Sequence, residues 1–394
     1  MTQARSYLDH AASAPMLPEA REAWLAASEA VGNPSSLHTS GRLARRLVEE
    51  ARESVAADLG VRPSEVVFTA GGTEADNLAI KGLAWAGADE GRRRILCSPI
   101  EHHAVLDPVE WLGGEGFRVE WLPVDSLGRV DVDALEAALD DDVAVCTVMW
   151  ANNEVGTVQP VERIAAACAA AGVPYHCDAV QALGQLPMDA DLPGVTTLAL
   201  SGHKVGGPVG VGALIAPRDA RITPLLHGGG QERDIRSGTL DAPSIAAFAV
   251  AVRRACADQV EVAQRLTLLR DDLIDGVLAA VPGAVLNGDP GRDAPGRLPG
   301  NAHLSFPGCE GDALLMLLDA AGVECSTGSA CTSGVPEPSH VLLALGVPEP
   351  VARGSLRFSL GRTSTPEDVD ALLDALPGVV QRASRAGSPR FGSR

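Results

Sequence analysis

The chain reads as an α/β fold in which a mostly parallel seven-stranded sheet carries helices on both faces and a smaller α+β unit follows. Three observations predict this. Between Glu65 and Ala216, short β-rich apolar runs alternate with stretches of helical length, the order that builds parallel sheets through helical crossovers. The segments richest in reactive side chains each lie directly after one of these runs, at the carboxyl end of a strand, where such sheets bind ligands. After Asp241 the alternation ends and a long helical tract begins. A chain of 394 residues exceeds one ordinary domain. We therefore expect a large domain over 14–255 and a small one built from 1–13 and 256–394.

Taken in order, Tyr7 to Pro15 is a short extended segment ending in a turn, and Leu17 to Glu29 forms a helix. The loop Gly32 to His38 leads to a helix from Arg42 to about Asp58, whose Arg45, Arg46, Glu49, Glu50, Arg52 and Glu53 suit a solvated face. The seven strands are Val66–Phe68, Arg94–Cys97, Val119–Leu122, Val143–Met149, Val173–Cys177, Thr196–Leu200 and Gly210–Ala216. Helices are expected at Asp76–Trp85, Ala134–Leu139 and Val161–Ala171, with one helical tract from Pro243 to Ala280. The Gly-, Pro- and Asp-rich run from Pro282 to Gly300 reads as a surface loop. The tail after Gln381 is expected to fray.

A formal charge of −19 and a pI of 4.8 argue against a direct nucleic-acid surface, since phosphate contacts need basic clusters. No run of about 18 apolar residues is present, and Met1 to Asp9 lacks a signal-peptide segment, so no membrane partner and a cytoplasmic location are expected. Eight cysteines are scattered without C-x-x-C pairs, which suits reduced thiols and no metal site.

The chemistry centres on Ser201-Gly202-His203-Lys204. Lysine occurs only at Lys81 and Lys204, every other basic side chain being arginine. A lysine at the mouth of a buried strand, beside hydroxyl, imidazole and glycine neighbours, is what binding the aldehyde of pyridoxal phosphate requires. Gly71-Gly72-Thr73 follows a strand and opens a helix, where free N–H groups and the helix dipole attract phosphate. Asp178 ends another strand and suits a pyridinium nitrogen; taken alone it reads rather as a helix cap. His102, in Glu101-His102-His103, can stack on a planar ring and move protons. Cys331 lies among small and polar residues in Ser326 to Pro338, the setting of an exposed, reactive thiol.

In their joint order these stretches resemble the cysteine desulfurases of the class V aminotransferase group, within the fold type I pyridoxal-phosphate enzymes. The match runs from Leu8-Asp9 through Asn33-Pro34-Ser35-Ser36, Ala151-Asn152-Asn153-Glu154 and Arg236-Ser237-Gly238-Thr239 to Leu356-Arg357-Phe358. Gly328-Ser329-Ala330-Cys331-Thr332-Ser333 resembles the subgroup with a long cysteine loop. The resemblance implies that Lys204 holds the cofactor and shuttles the substrate Cα proton, His102 stacks on its ring, Asp178 pairs with its nitrogen and Gln181 bonds its phenolic oxygen. Gly72, Thr73, Ser201 and His203 would hold the phosphate, with Thr239 supplied by the second subunit of a homodimer. Asn33, Asn152 and Arg357 would bind the substrate, L-cysteine, and Cys331 would take its sulfur as a persulfide. A sulfur-acceptor protein, such as an iron–sulfur scaffold or a tRNA-thiolation enzyme, would follow. A selenocysteine lyase or another class V lyase or aminotransferase is the alternative. The chain departs from the family at Val205, Gly206 and Val209, where an aromatic residue and then a lysine are usual.

Overall fold

Residues 5–291, 296–328 and 338–387 are described by the structure, a computed structural model. In chain order the elements are β1 (Ser6–Tyr7), α1 (Pro18–Ser28), α2 (Thr39–Leu59), β2 (Val66–Thr69), α3 (Gly72–Asp89), β3 (Arg94–Cys97), α4 (His103–Gly114), β4 (Arg118–Trp121), α5 (Val132–Ala138), β5 (Val143–Thr147), α6 (Val161–Ala171), β6 (Tyr175–Asp178), β7 (Thr197–Ser201) and β8 (Gly212–Ile215). There follow α7 (Ala242–Ala257), α8 (Gln259–Ala280), β9 (Val285–Leu286), β10 (Asn301–Ser305), α9 (Gly311–Ala320), β11 (Val323–Glu324), α10 (His340–Ala344), α11 (Glu349–Ala352), β12 (Ser355–Ser359) and α12 (Pro366–Gly387).

The main sheet has the order β2-β8-β7-β6-β5-β3-β4. All pairings are parallel except those of β8, which runs antiparallel to both β2 and β7. Strands β5, β6, β7 and β8 are buried along their whole length, as expected of a sheet covered on both faces. Helix α2 shows how one face is covered: Ala44, Val48, Ala51, Val55 and Leu59 recur at helical spacing and are buried. Its Arg52 reaches inward to grip Glu232 with two hydrogen bonds of 2.6 and 2.8 Å, and the Phe68 amide donates to the same carboxylate.

A second core gathers Leu8 with Leu266, Leu273, Val277, Leu304, Phe306, Leu314, Phe358 and Leu372. Over it lie the antiparallel sheet β12-β10-β9 and the parallel pair β1-β11. A smaller cluster of Ile100, Val155, Val341, Leu342 and Leu345 fastens α10 against the junction of β3 and α4.

Several local expectations change. Helix α3 begins at Gly72, four residues before the expected start, because Gly71 adopts φ 137° and lets the chain turn directly from strand to helix. The tract from Pro243 is two helices broken at Asp258, which caps both. The run from Pro282 is no surface loop throughout: Val285–Leu286 is a strand, and Asn287, Asp289, Arg297 and Leu298 are buried. The Arg297 guanidinium donates there to the carbonyls of Asn287 and Asp289. The tail remains helical to Gly387. Among the described residues no helix is long and apolar enough to cross a membrane, and the described cysteines are all unpaired.

Candidate active site

The carboxyl ends of β6 and β7, the first turn of α3 and the start of α4 converge on a cavity of about 420 Å³. Gly72, Thr73, His102, Asp178, Gln181, Ser201, His203, Lys204 and Arg357 all line it. A cleft of about 460 Å³ elsewhere is bordered by Ala144, Pro174 and Thr196. These mark the amino ends of β5, β6 and β7, the side away from the reactive groups.

One end of the cavity is built to receive an anion. No side chain caps α3, which leaves first-turn N–H groups available at the positive end of its dipole. A Cβ on Gly72 would come within 2.9 Å of Val180 and 3.5 Å of Ser201, so glycine keeps the backbone open there. The Ser201 hydroxyl, at the end of β7, is buried without a hydrogen-bond partner among the described residues. His203 follows, its Nδ1 3.4 Å from the Ser13 hydroxyl. Burial and the Lys204 ammonium hold its pKa down to about 4, so it is a neutral imidazole at working pH.

At the other end, Asp178 closes β6. The Val180 amide donates to its Oδ1 at 2.8 Å, yet burial first and Asp76 second push its pKa up to about 7. Asp76 projects from α3 into the same cavity, 3.2 Å from His176 Nε2, while Thr197 Oγ1 stands 2.9 Å from His176 Nδ1. His102 caps α4: its Nδ1 accepts from the Ala104 amide at 3.0 Å. The neutral ring therefore carries its proton on Nε2 and is a donor there. Its ring is accessible from the cavity mouth although protein surrounds it; burial, then Lys204, lowers its pKa to about 4.

The Lys204 amine donates to the carbonyls of Ala11 (2.7 Å) and Ala12 (2.9 Å). Gln181 Nε2 donates to the same Ala11 carbonyl at 3.0 Å. Burial, then the Arg357 guanidinium, depresses the Lys204 pKa to about 8, leaving the amine poised to lose its proton. Arg357 arrives from β12 in the second core. It is fixed by Asp9 (2.8 Å) and the Asn153 carbonyl (3.0 Å), with its Nε buried and, among the described residues, unpartnered.

Residues 6–372 match the family described as aminotransferase class-V. The chain belongs to the class-V aminotransferase family. It is 57% identical to an IscS-like cysteine desulfurase of Mycobacterium tuberculosis over 98% of this chain and 99% of that protein. With the cysteine desulfurase NifS of Azotobacter vinelandii it shares 43% identity over 95% of this chain and 92% of the other. A solved NifS-like protein superposes with a TM-score of 0.89 at 36% identity, covering 96% of this chain and all of that one. Class-V enzymes generally use pyridoxal phosphate, and the residues present fit it: an unpartnered buried hydroxyl and an uncapped helix start for the phosphate, a carboxyl for the ring nitrogen and a lysine for the aldehyde.

Not every expected residue of this class-V chain meets the cavity. Asn152, expected to grip substrate, is fully buried and spends its carboxamide on backbone: Nδ2 donates to Ile100 O, and Oδ1 accepts from the Glu154 and Val155 amides. It shapes the turn, and its neighbour Asn153 lines the cavity instead. Asn33 is exposed, its Oδ1 bonded to the Ser35 amide, and Thr239 is exposed; neither lines the cavity of its own chain. Cys331 lies outside the described residues, although Ser326 and Gly328 before it and His340 after it line the cavity. Asp76, Glu154, His103 and His340 are cavity residues without a role in the sequence reading. The i, i+3 spacing of Thr73 and Asp76 was the available signal for one of them. At the family departures, Val205 is buried and Val209 is 78% exposed, so the missing lysine changes surface, not the cavity.

Proposed function

We propose that this protein is a pyridoxal-phosphate-dependent cysteine desulfurase that converts L-cysteine to L-alanine and passes the sulfur through Cys331 to an acceptor protein. The observation that carries the reading is Lys204 and Arg357 facing one cavity with Asp178 between strand ends and the uncapped start of α3. The bound cofactor would supply an electron sink for the substrate Cα.

Gly72, Thr73, Ser201 and His203 would hold the phosphate, with Thr239 of a second copy, and Lys204 would hold the aldehyde. Gln181 would bond the phenolic oxygen, and Asp178 would keep the ring nitrogen protonated. Arg357, already oriented by Asp9 and Asn153, would bind the substrate carboxylate through a charge-assisted contact. Lys204, once its amine is neutral, removes the Cα proton and returns it. His102 presents Nε2–H to the cavity and donates to the reacting group. Cys331 thiolate attacks the substrate sulfur; the S–S bond forms as the C–S bond breaks, and the carbon side is protonated to alanine. The large unit over 14–255 would carry the cofactor, while 1–13 and 256–394 would supply Arg357 and Cys331. An iron–sulfur scaffold or a tRNA-thiolation enzyme would receive the sulfur.

Incubating the purified protein with L-cysteine tests this. Alanine formed in step with sulfur, and a persulfide mapped to Cys331 and lost in Cys331→Ser, are the expected results. Pyruvate and ammonia in place of alanine, or turnover indifferent to Cys331, would make it a lyase or an aminotransferase.

A further inference from the structure

The cavity wall holds two acids that the proposed chemistry does not use, Asp76 and Glu154, and Glu154 accepts a hydrogen bond from the Ser339 hydroxyl. Asp76 is 1% exposed and lines the same cavity as Asp178, and among the described residues no arginine or lysine is paired to it. Its contact is His176 Nε2 at 3.2 Å, and His176 is itself completely buried, two residues before Asp178 on β6, with its other nitrogen at Thr197. The titratable groups around Asp76 are His176, Cys177 and Asp178 of β6, Glu101 after β3, His102 and His103 at the start of α4 and Lys204 after β7. Lys204 is committed to Ala11 and Ala12. Two carboxyls are thus held in one desolvated pocket, and such a pair resists carrying two negative charges together.

We propose that Asp76, oriented by His176, is a positioning residue for the cofactor's ring nitrogen: the Asp76 carboxyl disfavours full deprotonation of the Asp178–ring nitrogen pair and so keeps the ring proton in place. Asp76 acts through Asp178 and need not touch the ring. The upward push that Asp76 exerts on Asp178 has the same sign. Burial pushes the Asp76 carboxyl well above the usual carboxylate range, so its charge develops only as pH rises, and removing that charge lets the pair release its proton at lower pH. This rests on the reading of Asp178 as the ring-nitrogen partner.

The test is to reconstitute the full chain with pyridoxal phosphate labelled with 15N in the ring and to follow the ring-nitrogen shift against pH. In Asp76→Asn, which keeps a polar contact to His176, the ring proton should leave about one pH unit earlier than in the wild type. Asp178→Asn should lose it across the whole range. A titration of Asp76→Asn superimposed on the wild type, with Asp178→Asn altered, overturns the inference alone. An Asp178→Asn titration unchanged from the wild type overturns the underlying assignment of Asp178. If Asp76→Asn does not fold, Asp76→Ser, uncharged and still able to meet His176, is read by the same criterion.

Discussion

Replacing Asp178 by Asn should stabilise the cofactor-free protein at neutral pH and do nothing at pH 4. The Asp178 carboxyl ionises near pH 3.8 when unperturbed and at about 7 in the folded chain. Between those values the folded state keeps a proton that the unfolded state has released, so stability falls as pH rises through that window. Above pH 7 the loss is complete, and a shift of that size corresponds to about 4 kcal/mol. The attraction between Asp178 and the Lys204 ammonium already lowers that folded-state pKa, so the expected gain at pH 8 is about 4 kcal/mol. The Val180 amide still finds an oxygen on asparagine. Thermal melting of both cofactor-free proteins at steps from pH 4 to pH 8 measures the difference. A variant no more stable than the wild type at pH 8 would refute the claim that burial strains this carboxylate.

Arg52→Ala should destabilise the fold by about 3–5 kcal/mol in urea unfolding, because it leaves Glu232, 2% exposed, without its cation. Ser201→Ala should weaken cofactor affinity by about 10–100-fold in equilibrium dialysis while leaving the melting temperature of the empty protein unchanged or higher, since its hydroxyl has no partner to lose. The rate at which added pyridoxal phosphate develops its protein-bound visible band should rise with pH through about 8, as the Lys204 amine loses its proton, and the band should be absent in Lys204→Ala. Gly72→Val should abolish phosphate retention, read as loss of the band after gel filtration, since its side chain would fill the space between Val180 and Ser201.

The sheet was legible because each strand is a short apolar run, and buried parallel strands need no alternation to be seen. The antiparallel course of β8 was not, since direction leaves no trace in residue type. Ser201, Lys204, Asp178 and Gly72 stood out because they sit where strands end. The pairing of His176 with Asp76 did not: the histidine lies inside a strand and its partner is 100 residues away. Asn152 and Asn153 are adjacent and alike, and only the turn geometry decides which carboxamide the backbone consumes. Arg297 was hidden in a glycine- and proline-rich stretch whose composition suggests solvent, although its guanidinium binds carbonyls in the interior.

The two carbonyls that hold the Lys204 amine belong to Ala11 and Ala12, a few residues after a strand of the second core. A lysine committed to an aldehyde cannot keep both of those hydrogen bonds. Binding an aldehyde at Lys204 would therefore release part of the anchorage of Ala11 and Ala12, and whatever tightens that turn would compete with it. The Ala11–Ala12 turn and the lysine amine would then be thermodynamically linked, so a change at Lys204 would be felt next to β1.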